Sequence, residues 1–427
     1  MLETLRSIAS LLFSYGLLLV ANGLFSTLLG VRARMEGFEA TTTGLIMGAY
    51  FAGLLAGALG GSRVVASVGH IRSFAAFASL MSVTALLHAI WVDAYAWALL
   101  RFVAGCCMAG MIMVTESWLN NRTVNKIRGQ ILSIYMVTNY ACAGLGQFLL
   151  PLSDPGEFYL FCMVSMFLSV ALIPVLLTRA VAPPPSAPER GGFTQVFAQA
   201  PLGVLGAICA GAVNAAFNGM GPVYAQSLGL SVGQISSFMA AAILGGLLLQ
   251  WPIGWLSDRV DRRNLLAGVA LATACASLYL AGVEHHGAAL ISGAVIYGAV
   301  AFTVYSLSSA HANDRLGPEQ SVKTASAMLV AYGCGAVAGP VVAGVSMGWF
   351  GPSGLFQQAC AIMAGLGTYS VYRLLKRPEG AVRRPFLPKP GAQYTSDELY
   401  RAAREEADIS EDPTVPGADL ERSQRHS

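Results

Sequence analysis

Long apolar runs, each at or above about 18 residues, recur along the first 376 positions, with short polar links between them. The runs are continuous rather than alternating, so they predict helices that cross a bilayer and exclude a β-barrel. Twelve spans follow, at roughly 8–30, 41–62, 73–91, 95–118, 129–151, 157–178, 201–225, 233–256, 264–283, 287–311, 322–349 and 354–375. The links at 92–94 and 284–286 are short enough to force antiparallel hairpins.

Polar breaks divide the chain further. Pro183-Pro184-Pro185-Ser186-Ala187-Pro188-Glu189-Arg190-Gly191-Gly192 interrupts the spans after the sixth. The expected organisation is therefore an N-terminal six-helix bundle (1–179), a cytoplasmic linker (180–200), a C-terminal six-helix bundle (201–376) and a polar tail (377–427). Phe193, Val196 and Phe197 predict a short amphipathic stretch on the membrane surface. In the tail, Thr395 to Glu398 has capping-box spacing and predicts a helix over Asp397–Ala407; the rest reads as disordered. The first run is too long for a signal h-region and no small-residue cleavage site follows it, which predicts an uncleaved N-terminus.

Composition agrees. Charged residues make up 11% of the chain and hydrophobic ones 55%, against about 25% charged in ordinary globular chains. The net charge of +3 matters less than its placement. With the N-terminus inside, only Arg32 and Arg34 of the 26 Lys and Arg fall on the outer side, and Arg101 lies deep within a span. The positive-inside rule then predicts N- and C-termini in the cytoplasm and a multi-pass protein of the cytoplasmic membrane. Trp residues near span ends predict an aromatic belt. The eight cysteines lie in apolar runs with no metal-ligand spacing and read as packing residues. No cofactor, metal or nucleic-acid partner is implied. No phosphate-binding glycine pattern or nucleophile constellation points to ATP use or to an enzyme.

The halves resemble each other at an offset of 192: Asn22 falls on Asn214, Phe25 on Phe217, Gly53 on Gly245, Tyr140 on Tyr332 and Cys142 on Cys334. Duplicated halves place a transporter's site at their interface, near the bilayer midplane.

Between spans eight and nine lies Gly254-Trp255-Leu256-Ser257-Asp258-Arg259-Val260-Asp261-Arg262-Arg263. It resembles the signature loop of the major facilitator superfamily, departing at Asp261, where the family usually has Gly. The first-half copy, Gly61 to Arg72, is degraded, with Ala66-Ser67 in place of the Asp-Arg pair. Leu100-Arg101-Phe102-Val103-Ala104-Gly105 is similar to the family's fourth-span Arg motif. Gly335-Ala336-Val337-Ala338-Gly339-Pro340 is similar to its Gly-Pro motif, here in span eleven rather than five. Thr115-Glu116-Ser117-Trp118-Leu119-Asn120, Arg128-Gly129-Gln130 and Gln250-Trp251-Pro252 bring the chain closest to the poorly characterised YcaD-like branch. The resemblance covers 1–376. It implies the major facilitator fold, an all-α polytopic membrane protein of two pseudo-symmetric six-helix bundles that rock about a central cavity.

Arg101 and Glu116 carry the charge within predicted span four. Arg101 lies about 9 Å inside the outer end of span four, and about 22 Å from Glu116 along the same helix. A charge at such depth is a functional candidate by default; a structural Arg on helix carbonyls is the alternative. Asn22, Asn214 and Asn218 suit reversible binding of a polar solute, or serve as interhelical glue. Asn139, Tyr140 and Tyr332 join them as substrate-binding candidates. The gating candidates are Asp258, Arg259, Arg262, Arg263 and Glu116, the last with a basic loop residue as its expected partner. The intact second-half loop is expected to carry most of the inner latch.

The functional expectation is a secondary active transporter of a small polar or amphipathic solute, working by alternating access as a monomer. Coupling to an ion gradient, with protons as the ion, is part of that expectation. A multidrug exporter, or a non-transporting receptor or scaffold signalling through the tail, stays open as the alternative.

Overall fold

The computed structural model describes residues 2–122, 128–177, 193–282, 287–316, 320–376 and 395. The predicted linker before 193 and the predicted tail helix lie outside the described residues. The face that carries Arg63, Arg72 and Arg259–Arg263 is the inner one under the charge expectation.

The described residues form helices and connecting turns. In order these are α1 (Leu2–Met35), α2 (Ala40–Val68), α3 (His70–Ile90), α4 (Ala94–Arg122), α5 (Arg128–Gln147), α6 (Tyr159–Leu176), α7 (Phe193–Gln199), α8 (Pro201–Ser227), α9 (Val232–Leu248), α10 (Gln250–Ser257), α11 (Arg262–Gly282), α12 (Ala288–Ala301), α13 (Val304–Leu316), α14 (Ser321–Phe350) and α15 (Gly354–Lys376). Apolar segments in lipid must satisfy every backbone group internally, and the helix does so within one segment. Ten spans among the described residues are long and apolar enough to cross a membrane. α5 and α15, of 20 and 23 residues, pack beside them but carry more polar side chains.

Several boundaries differ from the sequence expectation, each for a local reason. α2 runs on to Val68 and α3 begins at His70, so the first-half copy of the signature loop shrinks to Gly69 alone. Its φ of 88° is one that glycine adopts without steric cost. The eighth span is two helices, broken at Leu249. Pro252 has no N–H to donate to the Leu248 carbonyl, and its ring crowds that turn. The tenth span breaks at Phe302–Thr303, where the Thr303 hydroxyl donates to the Val300 carbonyl at 2.8 Å and competes with the backbone ladder. α9 starts on a capping box: the Ser231 hydroxyl accepts from the Gln234 backbone N–H, and the Gln234 side chain accepts from Ser231 N–H at 2.9 Å.

Packing follows the small residues. α2 lies against α4, α8 against α14, α11 against α15 and α9 against α12. A side chain at Gly53 would strike the Phe102 carbonyl of α4, and one at Gly105 the Tyr50 carbonyl of α2. These two glycines set the approach of α2 to α4. Three further pairs, α2–α14, α1–α8 and α5–α9, join the first half of the chain to the second. At their outer ends the fit is again tight. A Cβ at Gly48 would lie 2.9 Å from the Val337 carbonyl, one at Gly30 3.0 Å from Pro222 Cβ, and one at Gly44 would meet the Pro340 carbonyl. Trp91, Trp251, Trp255 and Trp349 are exposed, whereas Trp97 and Trp118 are buried in the core and cannot belong to an aromatic belt. Both are on α4, whose inward face takes large side chains.

Candidate functional site

Five of the residues nominated from the sequence, Arg101, Asn22, Glu116, Asn139 and Tyr140, fall in three polar nodes. The first lies in the outer part of the first half. Arg101 on α4 is 1% exposed. Its guanidinium carbon sits 4.2 Å from the Tyr50 ring centroid and 5.4 Å from that of Phe25. Both rings present faces that attract a cation. Its Nη2 meets the Met47 sulfur at 4.0 Å, a weak acceptor, while Nε and Nη1 have no acceptor. No carboxylate among the described residues lies within ion-pair distance of it. The Tyr50 hydroxyl donates to Asn22 Oδ1 at 3.2 Å, which ties Asn22 to Arg101 through one ring.

The second node is nearer the inner face of the same half. Glu116 is fully buried, and Tyr135 donates its hydroxyl to Oε1 at 2.8 Å. Tyr135 and Tyr15 stack at 5.1 Å with hydroxyls 3.0 Å apart, and Tyr15 donates to Asn139 Oδ1 at 2.9 Å. The Thr395 hydroxyl, from beyond the last span, also donates to Glu116 Oε1, at 2.5 Å. Glu116 and Asn139 thus share one buried chain, with the Tyr135 and Thr395 hydroxyls among the donors to the carboxylate.

The third node lies where both second-half spans break. Gln250, the first residue of α10, donates Nε2 to the Tyr140 hydroxyl at 3.0 Å and to the Phe302 carbonyl at 3.3 Å, and its Oε1 accepts from Ser306 at 3.5 Å. The break frees the carbonyl that Gln250 takes up, and Tyr140 joins it from α5.

Asn214 and Asn218 stand apart from these nodes. Asn214 is buried on α8, with no partner for Oδ1, and Asn218 donates to its backbone carbonyl at 2.8 Å. Tyr332 packs its ring 4.9 Å from that of Tyr305 and lines an apolar cleft with Phe51 and Leu55. Sequence reasoning missed Tyr50, Met47, Tyr15 and Tyr135, which look like ordinary core residues until the helices are packed. Gln250 carried a signal, an amide two residues before a proline in the inner part of an apolar run.

The signature-loop charges form a fourth group. Arg262 is 3% exposed and bonds Asp314 Oδ1 at 2.6 Å, the Ala310 carbonyl at 3.2 Å, the Ser257 hydroxyl at 3.0 Å and Asp258 Oδ1 at 3.2 Å. These contacts bind the loop to the end of α13, within the second half. Asp261 caps the first turn of α11 by accepting from Arg263 N–H at 2.8 Å, and it pairs with Arg263 Nη2 at 2.7 Å. Burial would raise its carboxyl pKa, but the hydrogen bonds and charge of Arg263 outweigh that and hold it below the usual 3.8. Arg259 lies 3.8 Å over the Trp255 ring.

A helical membrane protein with broken spans, glycine-sealed helix pairs and buried polar nodes has the architecture of a transporter. The sequence profile of the Major Facilitator Superfamily matches residues 11–330 and 203–397, and the chain belongs to that family. An uncharacterized MFS-type transporter of Enterobacter sp. (strain 638) is 28% identical over 347 residues, covering 80% of this chain and 89% of that one. The uncharacterized MFS-type transporter YcaD of Escherichia coli (strain SMS-3-5) is 27% identical over 382 residues, covering 89% and 98%. Among solved structures, a mutant of the nucleoside transporter NupG superimposes with a TM-score of 0.72 at 15% identity, covering 87% of this chain and 99% of that one. The likeness to NupG is one of fold.

Proposed function

We propose that the protein is a secondary active transporter that carries a small polar or amphipathic solute across the cytoplasmic membrane by alternating access. In this reading residues 1–179 and 201–376 are two bundles that rock about a central site, with both termini in the cytoplasm. The monomer is the working unit, and an ion gradient, carried by protons, drives the cycle. Arg101, Asn22, Asn139, Tyr140, Asn214, Asn218 and Tyr332 line the path, and Glu116 and the loop from Asp258 to Arg263 act at the inner gate.

The observation that carries the reading is the seal between halves at their outer ends. Gly30, Gly44 and Gly48 meet Pro222, Pro340 and Val337 of the opposite half with no space for a side chain. Contacts made by glycine against backbone can part and re-form without unpacking large side chains. The family membership supports the same reading.

Purified protein in lipid vesicles, screened for uptake and efflux across labelled metabolites, tests it. At least one solute is expected to move faster than in empty vesicles, and Gly48→Leu is expected to abolish that flux. Flux that never exceeds the empty-vesicle rate, or that Gly48→Leu leaves unchanged, defeats the reading.

A further inference from the structure

We propose that Arg101 is the anion-binding residue of the solute site, that the solute is an organic acid with a single negative charge, and that Met47 passes occupation of the site to the outer seal. The inference rests on the transport reading and names the chemistry of its solute.

Arg101 lacks the partners its burial demands. A structural arginine inside a membrane protein spends its donors on carboxylates or helix carbonyls. Arg262 and Arg263 do so, each facing an aspartate. Arg101 is as buried as they are, yet Nε and Nη1 have no acceptor and Nη2 has only a thioether. The Tyr50 and Phe25 ring faces hold the guanidinium in place without consuming any N–H. The result is a fixed cation with its hydrogen-bonding edge unspent, which suits a planar oxyanion. The Asn22 amide, held by Tyr50, supplies a neutral polar neighbour for the rest of the solute.

Charge count sets the valence. Among the described residues Arg101 is the cation of this node, so one negative charge is neutralised and a second would be stranded in a poorly polarisable setting.

Met47 supplies the link to the gate. Its sulfur touches Arg101 Nη2, and its Cβ lies 2.8 Å from where a Cβ on Gly219 would stand, across the boundary between halves. Pro340 of α14 is 3.7 Å from the same point. An oxyanion on the guanidinium competes directly with the sulfur, and any shift of Met47 is felt at α8 and α14.

Thermal shift of the detergent-purified full-length protein tests the anion site. The probes are propionate and benzoate, each beside its neutral amide, with benzenesulfonate to separate sulfonate from carboxylate. An acid is expected to stabilise the protein where its amide does not. Arg101→Gln is expected to weaken that acid at least tenfold. Arg101→Lys, which keeps the charge, is expected to keep the preference for acid over amide at lower affinity, and serves if the Gln variant does not fold. Stabilisation by the sulfonate alone would still support a singly charged organic acid and would name its acid group.

The link is read by labelling Gly348→Cys, at the outer end of α14 with Thr41 3.6 Å away, with an impermeant maleimide against the parent protein. The stabilising acid is expected to change the labelling rate several-fold, and Met47→Leu is expected to abolish that change while keeping acid binding. No acid-specific stabilisation, equal affinity in Arg101→Gln, or a labelling response unaltered by Met47→Leu overturns the proposal. If vesicles still carry an uncharged solute, the transport reading survives that failure.

Discussion

Replacing Asp314 by Asn should cost far more than replacing Asp258 by Asn, although both aspartates contact Arg262 and only Asp258 belongs to the signature loop. Arg262 and Asp314 are 3% and 6% exposed and meet at 2.6 Å. Asp258 is 42% exposed and meets the same arginine at 3.2 Å. Removing one member of a buried pair strands the other charge, at a cost of about 3–5 kcal/mol. Arg262 would keep Asp258, the Ser257 hydroxyl and the Ala310 carbonyl as partners, which favours the lower end, about 3 kcal/mol. The exposed pair is screened and is worth at most about 1 kcal/mol. For a unit of this size each kcal/mol moves the melting temperature by roughly 2–4 °C. Asp314→Asn should therefore lower it by about 6–12 °C, and Asp258→Asn by no more than about 4 °C. The eight cysteines are free thiols, and most are partly or fully buried, so a thiol-reactive dye reports unfolding directly. At 1 M salt, where screening acts over about 3 Å, the small Asp258 effect should vanish and the Asp314 effect remain. Equal losses from the two variants, or an Asp314 loss erased by salt, would refute this ranking.

The helix contacts and the loop carboxylate can be tested in the same way. Gly53→Ala should destabilise by about 1–3 kcal/mol or more, because its Cβ strikes the Phe102 carbonyl. Gly60→Ala, on the same helix with nothing within 4 Å, should be neutral or slightly stabilising, as yield and melting temperature after purification will show. The Asp261 carboxyl is held below its usual value of 3.8, so its stabilising contribution is present above that pH and is lost as pH falls through the lower, folded-state value. Melting temperatures taken from pH 6 down to 3 should fall more steeply in the parent than in Asp261→Asn; parallel curves would show that Asp261 carries no such linkage.

Much of the fold was legible in the chain. Continuous apolar runs separated by charged links dictate membrane-crossing helices, because the hydrocarbon interior leaves the backbone no other partner. The excess of Arg and Lys at alternate links predicts an orientation, and Asp258 to Arg263 marked both a loop and a family. Arg101 and Glu116 stood out because a charge in an apolar run is costly enough to need a reason. What the one-dimensional pattern could not carry is which side chains meet. Arg101 and Asn22 are far apart in sequence and become one node only because Gly53 and Gly105 bring α2 against α4 and present Tyr50 between them. Asn139 and Glu116 join through Tyr15 and Tyr135, whose hydroxyls say nothing of their partners until α1, α4 and α5 pack. Arg262 likewise has a buried partner in Asp314 and an exposed one in Asp258, and burial, which decides the strength of an ion pair, is a property of the packed helices and not of the motif. Local chemistry was written in the sequence; its partners were chosen by tertiary packing.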